Sequence, residues 1–169
     1  MGGTIELEST VGVGTKITFR IPLEVDFAEH EEEKEVDYSK IMFDGVRVLL
    51  AEDNDLNYEI LEEQLEMYGI HCVRAVNGKE CVQLFEIDPS GTYDAIFMDM
   101  QMPVMNGLDA TRAIRRLPSP ESKQIPIIAL TANAYLEDVQ KCKEAGMNDH
   151  MSKPVQIEQI IRTVERWMK

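Results

Sequence analysis

Val46-Arg47-Val48-Leu49-Leu50-Ala51-Glu52-Asp53 sets the pattern by which the rest of the chain is read. A short, nearly continuous apolar run is what a strand covered on both faces requires, as in a parallel sheet flanked by helices. The pattern then repeats. Asp55 to Tyr68 reads as a helix with Leu56, Ile60, Leu61 and Leu65 on its core side and Gly69 as its stop. His71 to Val76 follows as a second strand, and Asn77-Gly78-Lys79-Glu80 reads as a cap with an acid three residues on, opening a helix from Lys79 to Ile87. Strands are predicted over Asp94 to Asp99, Pro126 to Thr131 and, briefly, His150 to Ser152; helices over Leu108 to Leu117 and near Tyr135 to Ala145, the latter closed by Gly146. The last helix carries Ile157, Ile160, Ile161, Val164 and Met168 at helical spacing. Five βα units predict an α/β fold: a flavodoxin-like (βα)5 doubly wound five-stranded parallel sheet of order 2-1-3-4-5, with helices on both faces.

Upstream of Gly45 the character changes. Thr4-Ile5-Glu6-Leu7-Glu8 and Thr15-Lys16-Ile17-Thr18-Phe19-Arg20-Ile21 alternate polar and apolar residues around Val11-Gly12-Val13-Gly14, which is a β-hairpin signature. Two strands alone are marginal in water. Residues 1–25 therefore read as a hairpin remnant of a larger sheet, and pairing with a second copy through the hairpin is a further expectation. Residues 26–44 hold eight acids and two bases, too little apolar surface to offset ordering entropy, and read as an acidic linker. The third piece is the βα domain, residues 45–169.

Composition excludes several functions. The 169 residues carry 31 Asp and Glu against 17 Lys and Arg, a formal charge of -14. Nucleic-acid binding draws on clustered bases, and here they are outnumbered and scattered. No apolar run reaches the ~20 residues of a membrane span, and no basic-then-apolar leader opens the chain. A soluble cytoplasmic protein, without membrane contact by this segment, is expected. Cys72, Cys81 and Cys142 are odd in number and lack a CxxC spacing, so buried reduced thiols are expected rather than disulfides or zinc.

The strand ends carry the chemistry. Strand one ends in Glu52-Asp53, strand three in Asp99, strand four in Thr131 and strand five in Lys153-Pro154; only the second strand ends without a chemical group in this reading. Strands one and three are neighbours in the predicted order, so three carboxylates share a pocket, and like charges that close call for a cation. Mg2+, a hard ion taking carboxylate, carbonyl and water oxygens, suits such a set and suits phosphate chemistry. Taken singly, Asp53 could be a helix cap, Thr131 a residue of β propensity and Lys153 a solvated surface lysine. Their coincidence at neighbouring strand ends favours a site.

Leu50-Ala51-Glu52-Asp53-Asn54, Phe97-Met98-Asp99-Met100-Gln101-Met102-Pro103-Val104-Met105-Asn106-Gly107, Ala129-Leu130-Thr131-Ala132-Asn133 and Met151-Ser152-Lys153-Pro154 together resemble the receiver domains of two-component response regulators. The resemblance spans residues 46–169 in the family's order. It implies Asp99 as phosphoacceptor, Glu52, Asp53 and Asp99 with the main-chain carbonyl of Gln101 as the Mg2+ ligands, and Thr131 and Lys153 as contacts to the phosphoryl oxygens. Ala132 would leave the phosphoryl group room. A cis peptide at Lys153-Pro154 is often seen in the family. His150 stands where many receivers carry a switch Tyr or Phe, which implies either a pH-sensitive switch, since imidazole titrates near neutrality, or a simple steric replacement.

Met1-Gly2-Gly3-Thr4-Ile5-Glu6-Leu7-Glu8-Ser9 and Gly12-Val13-Gly14-Thr15-Lys16-Ile17-Thr18-Phe19-Arg20-Ile21-Pro22-Leu23 resemble the last two strands of a histidine-kinase ATP-binding domain. Gly12-x-Gly14 is not a phosphate loop, because a strand and not a helix follows it. The two resemblances imply a segment of a hybrid histidine kinase. Its receiver would take a phosphoryl group from a phosphohistidine of the kinase core and pass it to a histidine phosphotransfer protein. Two rivals stand beside this. A pseudo-receiver interaction module usually lacks an acid or the lysine, and both are present. An aspartate-nucleophile phosphohydrolase usually has Asp-x-Asp-x-Thr, whereas Asp99 is followed by Met100-Gln101-Met102.

Overall fold

The computed structural model describes residues 2–22, 41–88, 91–132 and 136–168, without the side chains of 136–138. The chain divides into two compact units, Met1–Val36 and Asp37–Lys169, and each is described by itself. Most of the acidic stretch of 26–44 lies outside the described residues.

In the first unit β1 (Thr4–Thr10) pairs antiparallel with β2 (Gly14–Arg20), with Ile5 opposite Phe19 and Leu7 opposite Ile17. Gly12, at φ 79°, takes the left-handed conformation at the turn, which glycine adopts at low cost. Ile5, Leu7, Ile17 and Phe19 are all exposed, as expected for a ribbon with one apolar face.

The second unit is the predicted sheet. β3 (Arg47–Ala51) lies between β4 (His71–Ala75) and β5 (Ala95–Asp99), followed by β6 (Ile127–Thr131) and β7 (Asp149–Ser152), in the order β4-β3-β5-β6-β7 with every pair parallel. Within this domain that is the order 2-1-3-4-5. Alternate residues of the central strands feed two cores. Leu49, Ala51, Ile96, Met98, Ile127 and Ala129 face α2 (Gly78–Ile87), α3 (Gly107–Arg116) and α5 (Leu136–Ala145); Val48, Leu50, Phe97, Ile128 and Leu130 face α1 (Asp55–Glu66) and α6 (Ile157–Trp167). Burial of both faces explains the apolar runs that marked these strands in the sequence.

Local signals fix the helix starts. Asn54, Asn77 and Asn106 each accept a hydrogen bond from the backbone N–H three residues on, at 3.0, 2.9 and 2.9 Å, the usual N-cap geometry. Glu80 reaches back to the Val76 amide at 2.9 Å. A four-residue helix, α4 (Glu121–Gln124), was not anticipated; it is too short to show periodicity. One core expectation fails. Leu56 and Ile60 of α1 are 63% and 49% exposed, while Tyr58, Leu61 and Leu65 are buried. Two apolar rows run along this helix, and the row holding Tyr58, at i, i+3 and i+7, turns inward. Leu56 and Ile60, four apart, form their own outward row.

Free thiols are found at all three cysteines, with Cys81 and Cys142 buried; burial pushes the Cys72 thiol up to about 12. No helix among the described residues is long and apolar enough to cross a membrane.

Gly107 opens α3 against the end of β5, and a Cβ there would collide with the Asp99 carbonyl and crowd the Met98 side chain. Gly107→Ala is therefore expected to destabilise the domain by about 1–3 kcal/mol through overpacking against backbone. Urea unfolding checks it; an unchanged midpoint would contradict the close approach.

Candidate functional site

Parallel register brings the functional strand ends side by side: Ala51 pairs with Met98, Asp99 with Leu130 and Thr131 with Ser152. The residues that terminate β3, β5, β6 and β7 therefore meet at one edge, the carboxyl edge where such sheets form their sites. Asp99 is 7% exposed. Its Oδ1 accepts the Gln101 amide at 3.1 Å and its Oδ2 accepts Lys153 Nζ at 2.8 Å. The same ammonium donates to Glu52 Oε2 at 2.6 Å. Glu52, 1% exposed, also accepts Asn57 Nδ2 at 3.0 Å and the Asn54 amide at 3.4 Å through Oε1. Asp53 is exposed, yet a carboxylate oxygen from each of Glu52, Asp53 and Asp99 lies within 4.8 Å of the others. Three hard oxygen donors at that spacing fit a divalent ion such as Mg2+.

Burial raises the Asp99 carboxyl above the usual range and is opposed by the bonds from Lys153 and the Gln101 amide. For Lys153, burial acts downward, but the hydrogen bonds and charges of Asp99 and Glu52 outweigh it and hold the ammonium above its ordinary value. The pair thus favours the charged form of Lys153, while burial disfavours the anionic form of Asp99.

The Lys153 amide donates to the Thr131 carbonyl at 2.7 Å, and Lys153-Pro154 is cis, as the resemblance implied. Asp99, Met100, Gln101, Thr131, Lys141 and Lys153 line a cavity of about 410 Å3, with the small Ala132 at its wall. Its rim is the loop from Asp99 to Gly107. There Val104 has φ 68° and the Met105 amide bonds the Pro103 carbonyl at 2.7 Å, a γ-turn of the rare strained kind. A β-branched residue in that region is an outlier held by its surroundings.

Glu52, Asp53, Asp99, Gln101, Thr131 and Lys153 are thus gathered in one place. His150 is not among them. It lies on β7 beside a separate cavity of about 270 Å3 with Asp149, Arg166 and Trp167. Asp149 there is buried enough to resist ionisation, yet bonds from Trp167, the His150 amide and Arg166 hold its carboxyl below the usual range. Three contributors went unseen in the sequence: Asn57, which bonds Glu52; Lys141, on the wall of the Asp99 cavity; and Arg74 of β4, whose guanidinium touches the acidic turn. No spacing rule marks a lone arginine in a strand, so only the register of β4 against β3 reveals it.

A doubly wound sheet whose carboxyl edge holds a buried aspartate between clustered acids and a lysine defines a phosphoryl-handling α/β domain. The chain belongs to the response regulator receiver domain family, whose model matches residues 48–165. It is 36% identical over 139 residues to hybrid signal transduction histidine kinase L of Dictyostelium discoideum, covering 82% of this chain and 8% of that protein. Among solved structures, the receiver domain of sensor histidine kinase PA1611 from Pseudomonas aeruginosa, with magnesium coordinated in its active-site cleft, is 39% identical with a TM-score of 0.65, covering 73% of this chain and 98% of that one. The receiver domain of the Saccharomyces cerevisiae response regulator Ssk1, in complex with the histidine phosphotransfer protein Ypd1, is 31% identical with a TM-score of 0.66, covering 75% and 91%. The chain spans less than a tenth of the length of the first of these relatives.

Proposed function

We propose that residues 45–169 are the receiver of a hybrid histidine kinase, taking a phosphoryl group from a phosphohistidine onto Asp99 and passing it to a histidine phosphotransfer protein. The observation that carries this is the Asp99 carboxylate, bound by Lys153 at 2.8 Å on the floor of an open cavity beside Glu52 and Asp53. A carboxylate is a poor nucleophile toward an anionic phosphorus, so the site must hold it in line and neutralise charge on the transferring group. Glu52, Asp53, Asp99 and the Gln101 main-chain carbonyl would hold Mg2+, which when bound neutralises phosphoryl oxygens. An Asp99 oxygen bonds to phosphorus as the P–N bond of the donor breaks, and the imidazole leaves with its electron pair. Lys153 turns its ammonium from the carboxylates to a phosphoryl oxygen, and the Thr131 hydroxyl donates to another. Return transfer to a second imidazole reverses these steps.

Exposed Leu56 and Ile60 on α1, with Pro154 and Val155 near Lys153, offer a donor protein apolar surface beside the cavity. Residues 1–25 fit the end of the kinase's ATP-binding domain in this reading, and 26–44 its linker to the receiver. The intact acid and lysine set argues against a pseudo-receiver, and Met100-Gln101-Met102 after Asp99 against a phosphohydrolase.

The lifetime of label on Asp99 tests the reading. A receiver holds one equivalent, a hydrolase turns over many, and a pseudo-receiver takes none. Asp53→Asn serves as the ligand test: it removes one anionic oxygen donor, so Mg2+ affinity should fall about tenfold or more while the fold is retained. Calorimetric titration reads this, and an unchanged affinity would remove Asp53 from the ligand set.

A further inference from the structure

Arg74 is the residue that the strand-end reading left without a task. It sits on β4 opposite Leu50 of β3, one residue short of the strand's end, and its side chain is 24% exposed. Its guanidinium converges on the acidic turn. Nε and Nη2 lie 3.4 Å from the Glu52 carbonyl, and Nη2 lies 3.5 Å from the Asp53 carbonyl and 2.7 Å from Asp55 Oδ1. The Tyr58 ring of α1 supports it from below, 4.6 Å from Cζ to ring centroid, a separation typical of a cation–π contact. The three carbonyl contacts are individually long, and the short ion pair to Asp55 and the aromatic stack hold the group against them.

We propose that Arg74 is a positioning residue for the cation site: it clamps the main chain of residues 52–55 so that the Glu52 and Asp53 carboxylates converge with Asp99, without ligating the ion itself. This rests on the reading of that cluster as a Mg2+ site. The Glu52 amide makes the last ladder contact of β3, to the Ala75 carbonyl at 3.0 Å, and the turn into α1 begins there. Carboxylate direction depends on the backbone angles of that turn. A planar guanidinium spanning two successive carbonyls and the first helical acid restrains those angles, which a single-point ammonium cannot do. Outer contacts of this sort typically carry a 10–100-fold share of metal affinity.

Electrostatics and positioning predict opposite signs, and that makes the proposal testable. Removing a cation near a cation site should tighten Mg2+ binding if charge alone matters. Positioning requires the reverse. The experiment is a Mg2+ titration of the full chain by calorimetry and by amide shifts of Asn54 and Gln101, for wild type, Arg74→Ala, Arg74→Gln, Arg74→Lys and Asp55→Ala, with urea unfolding of each. The expected result is an affinity about tenfold weaker in the Ala and Gln variants, recovered by less than half in Arg74→Lys, and weakened by a smaller factor in Asp55→Ala, where the carbonyl contacts remain without the ion pair that steadies them. Tighter or unchanged binding in Arg74→Gln would overturn the proposal, as would full rescue by lysine or a loss confined to the urea midpoint. If Arg74→Ala does not fold, the Gln and Lys variants decide alone. Failure of the underlying site reading looks different, because wild type itself would then show no saturable Mg2+ binding.

Discussion

Asp99→Asn is expected to take up no hydroxylamine-labile phosphoryl label from a phosphohistidine donor and Mg2+, under conditions where wild type approaches one equivalent. The substitution keeps the shape of the side chain and its acceptor for the Gln101 amide, but replaces the charged oxygen that must bond to phosphorus with a far weaker nucleophile. Asp99 is the last residue of β5 and nearly buried, so no neighbouring carboxylate can take its place without leaving its own strand end. Glu52 is tied to Lys153 and Asn57. Label persisting in the variant would remove Asp99 from the acceptor role.

The same variant carries a stability prediction with a definite sign. Burial holds the folded Asp99 carboxyl above its ordinary pKa, so folding favours the protonated form. The stabilising contribution of that group is complete below the unfolded pKa and is lost as pH rises through the folded one. At neutral pH the ionised Asp99 thus works against the fold, and Asp99→Asn should melt higher than wild type in the absence of Mg2+. The gap should close on acidification. Wild-type phosphorylation should run the other way, slowing as the pH falls into the raised titration range because the anion is the nucleophile. A variant that melts lower than wild type at neutral pH would show that the bonds from Lys153 and Gln101 outweigh burial.

How far the sequence carried these conclusions depended on the kind of signal. The central strands were legible because both faces are buried, which leaves an apolar run that only its ends can interrupt. The ends that do interrupt it, Glu52-Asp53, Asp99, Thr131 and Lys153, were legible for the same reason: polar groups directly after such runs have a topological address. Asn54, Asn77 and Asn106 are found at caps because capping is local. Legibility failed where an outcome depended on choosing between equivalent faces or on contacts between strands. On α1 two apolar rows competed, and only packing against β3 and β5 decided that Tyr58 rather than Leu56 turns inward. Arg74 reads as a solvated strand residue until the pairing of β4 with β3 puts it beside the acidic turn. His150 takes the family's switch position by resemblance, and its neighbours in the fold include Asp149, Arg166 and Trp167. Imidazole chemistry at His150 would thus act through the surface that β7 shares with α5 and α6.

Lys153→Ala should separate ion binding from phosphoryl transfer. In wild type the ammonium sits 2.6 Å from Glu52 and 2.8 Å from Asp99 and neutralises two carboxylates that a divalent ion would also neutralise. Ammonium and Mg2+ therefore compete for part of the same negative charge. Truncating the lysine leaves Glu52 and Asp99 without their cation in a mostly buried site, a change that destabilises a protein by several kcal/mol when the charges are fully desolvated, and by less here because the lysine is partly exposed. The variant should accordingly melt lower than wild type without Mg2+, bind Mg2+ more tightly, and recover more stability on adding it. Phosphoryl transfer should move in the opposite direction. A donor aimed at charge that develops in the transition state accounts for about 10²–10³ in rate, so transfer to Asp99 should slow by about 10²-fold even with Mg2+ saturating. The response should weaken as well, because Lys153 is joined through its own amide to Thr131 on β6 and, in the proposed transfer, is the side chain that changes partner when the phosphoryl group arrives. Amide shifts on adding beryllofluoride, compared between variant and wild type over α5 and β7, read that response. Tighter Mg2+ binding together with unimpaired transfer would reduce Lys153 to a charge-balancing residue. Wild-type shifts in the variant would end its coupling role.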